Sequence, residues 1–298
     1  MRFLIKLLFL RIWETIQYHL TPSNKRFLIA GYAFVSRDKV MHANFGDDIN
    51  FYLIKALTGK RIFNYKNVYF QGKDENFLCI GSIINACSNS NAVIWGSGLM
   101  YGDRLLEQKP KRVAAVRGLK TRQKLMEQGV DCPEVYGDPA LLLPIIYKPN
   151  SQKKYKFGLI PHYVDEDKEV VTKIAQALGD CTIISMANYD DWHSVIDSIC
   201  ECECIVSSSL HGMIISDAYR IPNVWIEFSK DIEGDRFKYY DYFSSVHRTD
   251  QKPLYTTTET LISDICNAKE KYECILFDHN ELLSVAPFEV FPQFLNKS

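Results

Sequence analysis

The stretch Ser207-Ser208-Ser209-Leu210-His211-Gly212, residues 207–212, indicates the fold most clearly. The apolar run at 204–206 precedes it, as in a buried parallel strand, and apolar residues at helical spacing follow it as far as Ala218. The segment therefore predicts a strand, a tight serine turn and a helix. A helix N-terminus has unpaired N–H groups and a positive dipole end, so it can hold an anion beside His211. Alternatively, the serines cap an ordinary helix and His211 is a surface residue.

The same order of strand, polar turn and helix recurs along the chain from residue 26. The predicted strands lie at 26–31, 77–81, 92–95, 112–116, 157–160, 181–185, 205–206 and 223–226. The predicted helices lie at 49–57, 119–128, 140–143, 165–178, 191–200, 210–218, 234–245 and 258–272. Such alternation predicts an α/β protein with doubly wound parallel sheets, in which ligands bind beyond the carboxyl ends of the strands.

A polar, basic segment with two prolines, residues 144–156, separates two sets of strands. We interpret it as a linker between two facing Rossmann-like domains with a cleft between them. The predicted parts are an amphipathic helix at 1–24, an acceptor-binding domain at 25–146 and a donor-binding domain at 155–298. The last helices either stay with the second domain or pack back on the first.

Composition describes an ordinary globular protein. The chain has 298 residues, and 35 Lys and Arg residues nearly balance 36 Asp and Glu residues, for a net charge of −1. This balance gives no reason to expect nucleic acid as a partner. Nine cysteines without a pairing framework indicate a reducing, cytoplasmic compartment. Because no cluster has metal-ligand spacing, we expect no required metal or cofactor.

The first 20 residues, MRFLIKLLFLRIWETIQYHL, are apolar around nearly the whole helical circumference. Arg2, Lys6, Arg11 and Glu14 argue against a membrane-spanning helix, and the stretch lacks the features of a secretory signal. One alternative is a helix at a membrane interface with Trp13 at the boundary. The other is a helix packed on the protein body or on a second subunit. The large apolar content favours the membrane, which would place a cytoplasmic protein on the inner face of the cell membrane.

Six motifs follow one another along residues 26–245. They are Asn44-Phe45-Gly46-Asp47-Asp48, Gly96-Ser97-Gly98, Val116-Arg117-Gly118, Gly137-Asp138-Pro139-Ala140, Ile160-Pro161-His162-Tyr163 and Ser209-Leu210-His211-Gly212. As an ordered set they resemble the polysaccharide pyruvyl transferases. The resemblance implies a two-domain fold similar to the B-type glycosyltransferases. It also implies transfer of pyruvate from phosphoenolpyruvate to two sugar hydroxyls, leaving a cyclic ketal, in a capsule, an exopolysaccharide or a lipid-linked precursor.

The resemblance also implies roles for individual residues. The expected contacts of phosphoenolpyruvate, a co-substrate, are Arg117, Ser208, Ser209, Leu210, His211, Gly212 and Lys238. Lys238 would replace an arginine that some members carry where this chain has Ser209. His211 is the first candidate for a general acid or phosphate partner, and His162 is the second. Asp47 or Asp48 would take a proton from the acceptor, and the expected acceptor contacts are Asn44, Asp47 and Ser97.

Each assignment has a structural alternative. Asp47 and Asp48 can serve only as acidic residues in the first turn of a helix, and Arg117 can cover a strand end. Residues 96–98 can form a plain tight turn. Two other functions remain open: a B-type glycosyltransferase using a nucleotide sugar, which the fold would equally permit, and a non-catalytic module that binds sugar or phosphate.

Overall fold

The computed structural model describes residues 2–37, 39–41, 44–228, 236–255 and 262–295, without the side chains of residues 2–6, 34 and 41. The chain divides into two compact units. The first unit comprises Met1–Pro139 and Asp278–Ser298, and the second comprises Ala140–Phe277. The predicted starts of the helices at 234 and 258 lie outside the described residues.

The strands and helices are numbered in chain order. The strands are β1 (Arg26–Ile29), β2 (Phe34–Ser36), β3 (Lys39–Met41), β4 (Arg61–Asn64), β5 (Asn76–Leu78), β6 (Ala92–Trp95), β7 (Arg112–Ala115), β8 (Tyr155–Ile160), β9 (Cys181–Ile183), β10 (Cys202–Ser207), β11 (Asn223–Glu227) and β12 (Leu254–Tyr255). The helices are α1 (Arg2–Leu20), α2 (Phe45–Thr58), α3 (Ile84–Cys87), α4 (Leu119–Glu127), α5 (Leu143–Ile146), α6 (Glu169–Leu178), α7 (Trp192–Cys200), α8 (Leu210–Ala218), α9 (Phe237–Ser245), α10 (Ile262–Glu270) and α11 (His279–Ser284).

Each unit contains a parallel five-stranded sheet. The order is β4–β1–β5–β6–β7 in the first unit and β12–β11–β10–β8–β9 in the second, while β2 and β3 form a separate antiparallel hairpin. Counted along the chain within its own sheet, each order is 2-1-3-4-5, which is the flavodoxin-like doubly wound order. The predicted α/β class with parallel sheets is therefore confirmed. The winding reverses between β1 and β5 and between β8 and β10, and ligands of this fold bind at the carboxyl ends of such strands.

Apolar strands and capped helices explain these elements locally. All four residues of β6 and all five of β11 are buried, as expected for parallel strands covered on both faces. Asn44 caps α2 by accepting a hydrogen bond from the N–H of Gly46. The helix ends at Gly59, whose φ of 65° is in the left-handed region that glycine tolerates. These two caps define the start and the end of α2.

The end of the chain packs on the first sheet. The indole N–H of Trp95 donates to the carbonyl of Leu282 at 3.0 Å, and the N–H of Phe291 donates to the carbonyl of Leu57 at 2.9 Å. The ring of Phe288 meets three aromatic rings edge-on, those of Phe27, Phe77 and Trp95. The segment from Asp278 therefore belongs to the first unit, in agreement with the alternative that the last helices pack back on the first domain and not with a second domain that continues to residue 298.

The segment predicted as a linker, residues 144–156, lies within the second unit. Near its start, the hydroxyl of Tyr147 donates a hydrogen bond to Asp197 of α7 at 2.6 Å. The carbonyl of Tyr147 accepts a 2.9 Å hydrogen bond from the hydroxyl of Tyr219, at the end of α8. Because of these anchors, the division between the units falls between Pro139 and Ala140 rather than at the predicted boundaries 146 and 155.

Helix α1 packs on the first unit along one face and ends at Leu20, four residues before the predicted limit. Tyr18 is buried against Leu28, Phe63 and Val68. The carboxylate of Glu14 is buried and accepts hydrogen bonds from the Ser36 hydroxyl and the Arg37 N–H. Among the described residues, no helix has the length and hydropathy needed to cross a membrane.

Candidate active site

The predicted site residues form two groups, one in each unit. The first-unit group consists of Asn44, Asp47, Asp48, Ser97 and Arg117. The second-unit group consists of His162, Ser208, Ser209, Leu210, His211, Gly212 and Lys238. Apart from Lys238 on α9, the second-unit group follows β8 and β10, the two strands at the switch point of the second sheet. Of the first-unit group, Ser97 and Arg117 follow β6 and β7, and the others begin α2.

Hydrogen bonds join the loop after β8 to the serine turn after β10. The N–H of Ser208 donates to the carbonyl of Ile160 at 3.0 Å. The N–H of His162 donates to Oγ of Ser208 at 2.8 Å. Ser208 is fully buried, so these bonds are shielded from water. The backbone of His162 is therefore held against the serine turn.

The serine turn also positions the first turn of α8. Oγ of Ser209 accepts from the N–H of Gly212 at 3.4 Å, and Oγ of Ser207 accepts from the N–H of Ser209 at 3.0 Å. A Cβ on Gly212 would lie 2.4 Å from Oγ of Ser207, so only glycine permits this approach of helix to strand. Ser209 therefore caps α8, which is the role that the sequence left open. His211 follows in the first turn of that helix and is half-buried.

His162 is a neutral imidazole beside a buried cation. Burial, together with the nearby ammonium of Lys238, lowers the pKa of His162 to about 4, although Asp165 acts in the opposite direction. Within the described residues, Nδ1 of His162 has no hydrogen-bond partner. Lys238 is only 6% exposed. An anion bound here would meet a cation and a proton acceptor together, and by offsetting the cation it would raise the pKa of His162.

Two aromatic residues that the sequence did not single out support the serine turn. The hydroxyl of Tyr239 donates to the carbonyl of Ser208 at 2.6 Å. Its ring stacks on Trp225 with 4.6 Å between ring centres and 16° between planes. Both side chains are fully buried. The available signal was a buried stripe in α9, where Tyr239, Tyr242 and Phe243 recur at helical spacing.

Arg117 is fully buried in the first unit. Its guanidinium donates to Oγ of Ser82 at 2.5 Å and to the carbonyl of Leu99 at 2.9 Å. A Cβ on Gly98 would lie 2.3 Å from the guanidinium carbon, so this glycine makes room for it. Arg117 thus joins the loops that follow β5, β6 and β7. Its contact with phosphoenolpyruvate stays a prediction.

The two acidic candidates differ in burial. Asp47 is half-buried in the first turn of α2, and a Cβ on Gly81 would lie 3.6 Å from its Oδ1. Asp48 is fully buried, as is Ser97, whose hydroxyl has no hydrogen-bond partner within the described parts of the chain. Of the two carboxylates, Asp47 is the one that a ligand can reach.

Comparisons with known proteins cover both units. The family described as polysaccharide pyruvyl transferase matches residues 39–230. The uncharacterized protein L143 of Acanthamoeba polyphaga mimivirus is 31% identical over 239 residues, which cover 75% of this chain and 79% of that protein. The succinoglycan biosynthesis protein ExoV of Rhizobium meliloti (strain 1021) is 29% identical over 231 residues, which cover 74% of this chain and 68% of that protein. No solved structure matches the chain significantly.

The matched residues include every candidate in the first-unit group and all of the second-unit group except Lys238. They also include three of the four strands at the two switch points, namely β5, β8 and β10. The match thus extends over well more than half of the chain and spans the serine turn, the α8 N-terminus and the buried arginine. The chain belongs to the polysaccharide pyruvyl transferase family.

Proposed function

We propose that this protein transfers pyruvate from phosphoenolpyruvate to two hydroxyls of one sugar, in a surface polysaccharide or its lipid-linked precursor, and forms a cyclic ketal. Family membership supports pyruvyl transfer to a polysaccharide. The observation that carries the proposal further is the nearness of the buried ammonium of Lys238 to the imidazole of His162 beside the serine turn. These groups lie at the switch point of the second sheet, where a doubly wound fold binds its ligand.

The second unit suits the donor because phosphoenolpyruvate carries a phosphate and a carboxylate on a three-carbon frame. The ammonium of Lys238 and the N-terminus of α8 both attract anions. His211, in the first turn of that helix, can donate a hydrogen bond to the same phosphate. We therefore assign the donor to the second-unit group, with Lys238 and His211 as its main contacts.

The proposed reaction uses side chains for its proton transfers. A proton is added to the terminal methylene of phosphoenolpyruvate, and positive charge develops at its central carbon. A sugar hydroxyl attacks that carbon and gives up its proton, and the bond from the carbon to the phosphate oxygen breaks. A second hydroxyl then closes the ketal and gives up its own proton. The two hydroxyl protons balance those on the new methyl group and on the released phosphate.

A histidine suits the acid step once the donor is bound. The neutral His162 cannot supply a proton at neutral pH, but a bound trianion would raise its pKa into the useful range. His211 is the other candidate for this step. We assign the acceptor to the first unit, where Asp47 is the carboxylate that can take a hydroxyl proton.

Product release in parallel reactions tests this proposal. The full chain is incubated with a glycan acceptor and either phosphoenolpyruvate or a set of nucleotide sugars, while phosphate and nucleotide are measured. We expect acceptor-dependent phosphate release, strongly reduced in His211→Ala and retained in His193→Gln, which changes a histidine of the same unit whose side chain is 40% exposed. Release of nucleotide instead would identify the glycosyltransferase alternative. Binding without turnover would identify the non-catalytic one.

A further inference from the structure

The face of α1 opposite its packed side is apolar and exposed. Its side chains are between 43% and 73% exposed and comprise Leu8, Phe9, Ile12, Trp13, Ile16 and Leu20. At the angular spacing of an α-helix, these positions occupy one sector of about 140°. Tyr18 and Glu14, both 1% exposed, lie on the opposite side of the helix. Six large apolar residues on one exposed face form a patch that a monomeric protein rarely leaves in water.

The loop at residues 69–70 extends this patch. The N–H of Tyr69 donates to Oγ1 of Thr15 at 3.1 Å, and Nε2 of His19 lies 3.1 Å from the carbonyl of Tyr69. By helical position, Thr15 borders the exposed sector and His19 lies just inside it. Phe70 follows at 86% exposure, with a positive φ of 60°. The backbone of Tyr69 is therefore held beside the apolar face of α1, and the adjacent Phe70 adds an almost entirely exposed ring.

Basic groups border the patch. The guanidinium of Arg37 lies 5.8 Å from the ring centre of Trp13, and Lys39 is exposed at the start of β3. The nearest acid on the helix, Glu14, is buried beneath the hairpin and cannot face a ligand. Asp38, between the two basic residues, lies outside the described residues. In sequence, Arg2 and Lys6 add positive charge to the same helix.

We propose that this surface, the exposed face of α1 with Tyr69 and Phe70, docks on an anionic lipid bilayer. The apolar side chains enter the boundary between headgroups and acyl chains, and Arg37 and Lys39 meet the anionic headgroups. A second copy of the chain would bury the apolar face equally well, but it would bring like charges together at the border. The proposal is independent of the proposed pyruvyl transfer, since no candidate of either site group lies on this surface.

Vesicle co-sedimentation of the full chain tests the proposal. Vesicles of phosphatidylcholine alone are compared with vesicles that also contain phosphatidylglycerol, at low and high salt. We expect binding to the anionic vesicles that weakens with salt, because salt screens the charge attraction. Phe70→Ser should weaken binding about tenfold, as expected when one apolar ring no longer enters the bilayer. Lys39→Glu should weaken binding to the anionic vesicles only.

The matched control is Leu105→Ser, which changes an 80% exposed leucine elsewhere in the first unit. It should bind vesicles like the wild type. Equal binding to both kinds of vesicle, or an equal loss in Leu105→Ser and Phe70→Ser, would overturn the proposal. Sedimentation velocity tests the alternative occupant. A dimer that Phe70→Ser converts to a monomer would show that a second copy covers the face and would overturn the proposal. Phosphate release with a soluble acceptor should be unchanged in all three variants, so failure of docking is distinct from failure of the proposed reaction.

Discussion

The backbone N–H of His162 donates a 2.8 Å hydrogen bond to Oγ of Ser208, and this bond joins the two loops at the switch point of the second sheet. On its other side, Ser208 is held through its carbonyl by the hydroxyl of Tyr239. The half-buried imidazole of His162 therefore depends for its position on a turn that is distant in sequence.

Ser208→Ala should lower both stability and turnover. The substitution leaves the buried N–H of His162 without its acceptor. An unsatisfied buried donor of this kind lowers the free energy of unfolding by about 1–3 kcal/mol. Urea unfolding measures the first effect, and kcat with the KM for phosphoenolpyruvate measures the second. Ser198→Ala is the control, because that exposed hydroxyl only donates to a carbonyl of its own helix. Wild-type stability and kinetics in Ser208→Ala would contradict the positioning role.

The pKa of His162, lowered to about 4, predicts a loss of stability in mild acid. Between about pH 6.5 and pH 4 the unfolded chain binds a proton at this residue and the folded chain does not, so the free energy of unfolding falls as the pH falls. The contribution reaches about 3 kcal/mol at the bottom of this range. Urea unfolding at several pH values should show that the free energy of unfolding depends less steeply on pH in His162→Gln than in the wild type. Identical slopes for the variant and the wild type would refute the assignment.

Donor binding should raise the pKa of His162. A bound phosphate and carboxylate would offset the charge of Lys238, which is one of the two causes of the depressed pKa. NMR titration of the imidazole, with and without saturating phosphoenolpyruvate, measures the change, and inorganic sulfate tests whether any anion suffices. In Lys238→Met the pKa of the free protein should itself be higher. An unchanged titration with donor present would place the donor away from His162.

Arg117→Ala should destabilise the protein by about 3 kcal/mol or more, because it removes a buried side chain and leaves Oγ of Ser82 and the carbonyl of Leu99 without their donor. Arg112→Ala is the control: that half-exposed arginine on β7 lies 3.5 Å from Glu75, and such surface pairs contribute at most about 1 kcal/mol. Thermal unfolding compares the two variants. An Arg117→Ala protein of wild-type stability that no longer binds donor would show that direct donor contact is the main role of Arg117.

Gly212→Ala should displace the first turn of α8 from the sheet. The added Cβ would lie 2.4 Å from Oγ of Ser207 and 3.0 Å from Cγ2 of Ile160, and overpacking of this kind costs about 1–3 kcal/mol. Gly31→Ala is the matched control, since nothing lies within 4 Å of its added Cβ. Thermal unfolding and donor affinity should both fall in the first variant and stay unchanged in the second. Equal behaviour of the two proteins would contradict the packing described for the α8 N-terminus.

Sequence patterns predicted the strands and helices that depend mainly on their own residues. The apolar run of β6 and the serine turn before α8 were placed correctly because burial and capping depend on residues adjacent in sequence. Strand β4 was missed because only its two central residues, Ile62 and Phe63, are apolar, and its pairing with β1 supplies the rest. The hairpin of β2 and β3 was missed in the same way, since each strand has only three residues.

In the candidate site, too, the sequence predicted local features but not contacts between distant residues. The sequence placed His162 and Ser208 at strand ends, but it could not show that one holds the other. The sequence offered Arg117 as a phosphoenolpyruvate contact or as a residue covering a strand end, and neither expectation revealed that its side chain is fully buried. Its burial depends on Ser82 and Leu99, which follow other strands of the sheet. Likewise the packing of Phe288 on the first sheet is a contact between distant parts of the chain, which local patterns do not reveal.

The structure of the product shows whether the protein forms a pyruvate ketal on a sugar. The full chain is incubated with a glycan acceptor and phosphoenolpyruvate carrying an NMR-visible isotope at its central carbon. We predict that this carbon becomes a quaternary ketal carbon bonded to two oxygens of one sugar, with one phosphate released for each ketal formed. An enol ether that keeps the terminal methylene, free pyruvate, or an unmodified glycan with every acceptor tested would contradict it.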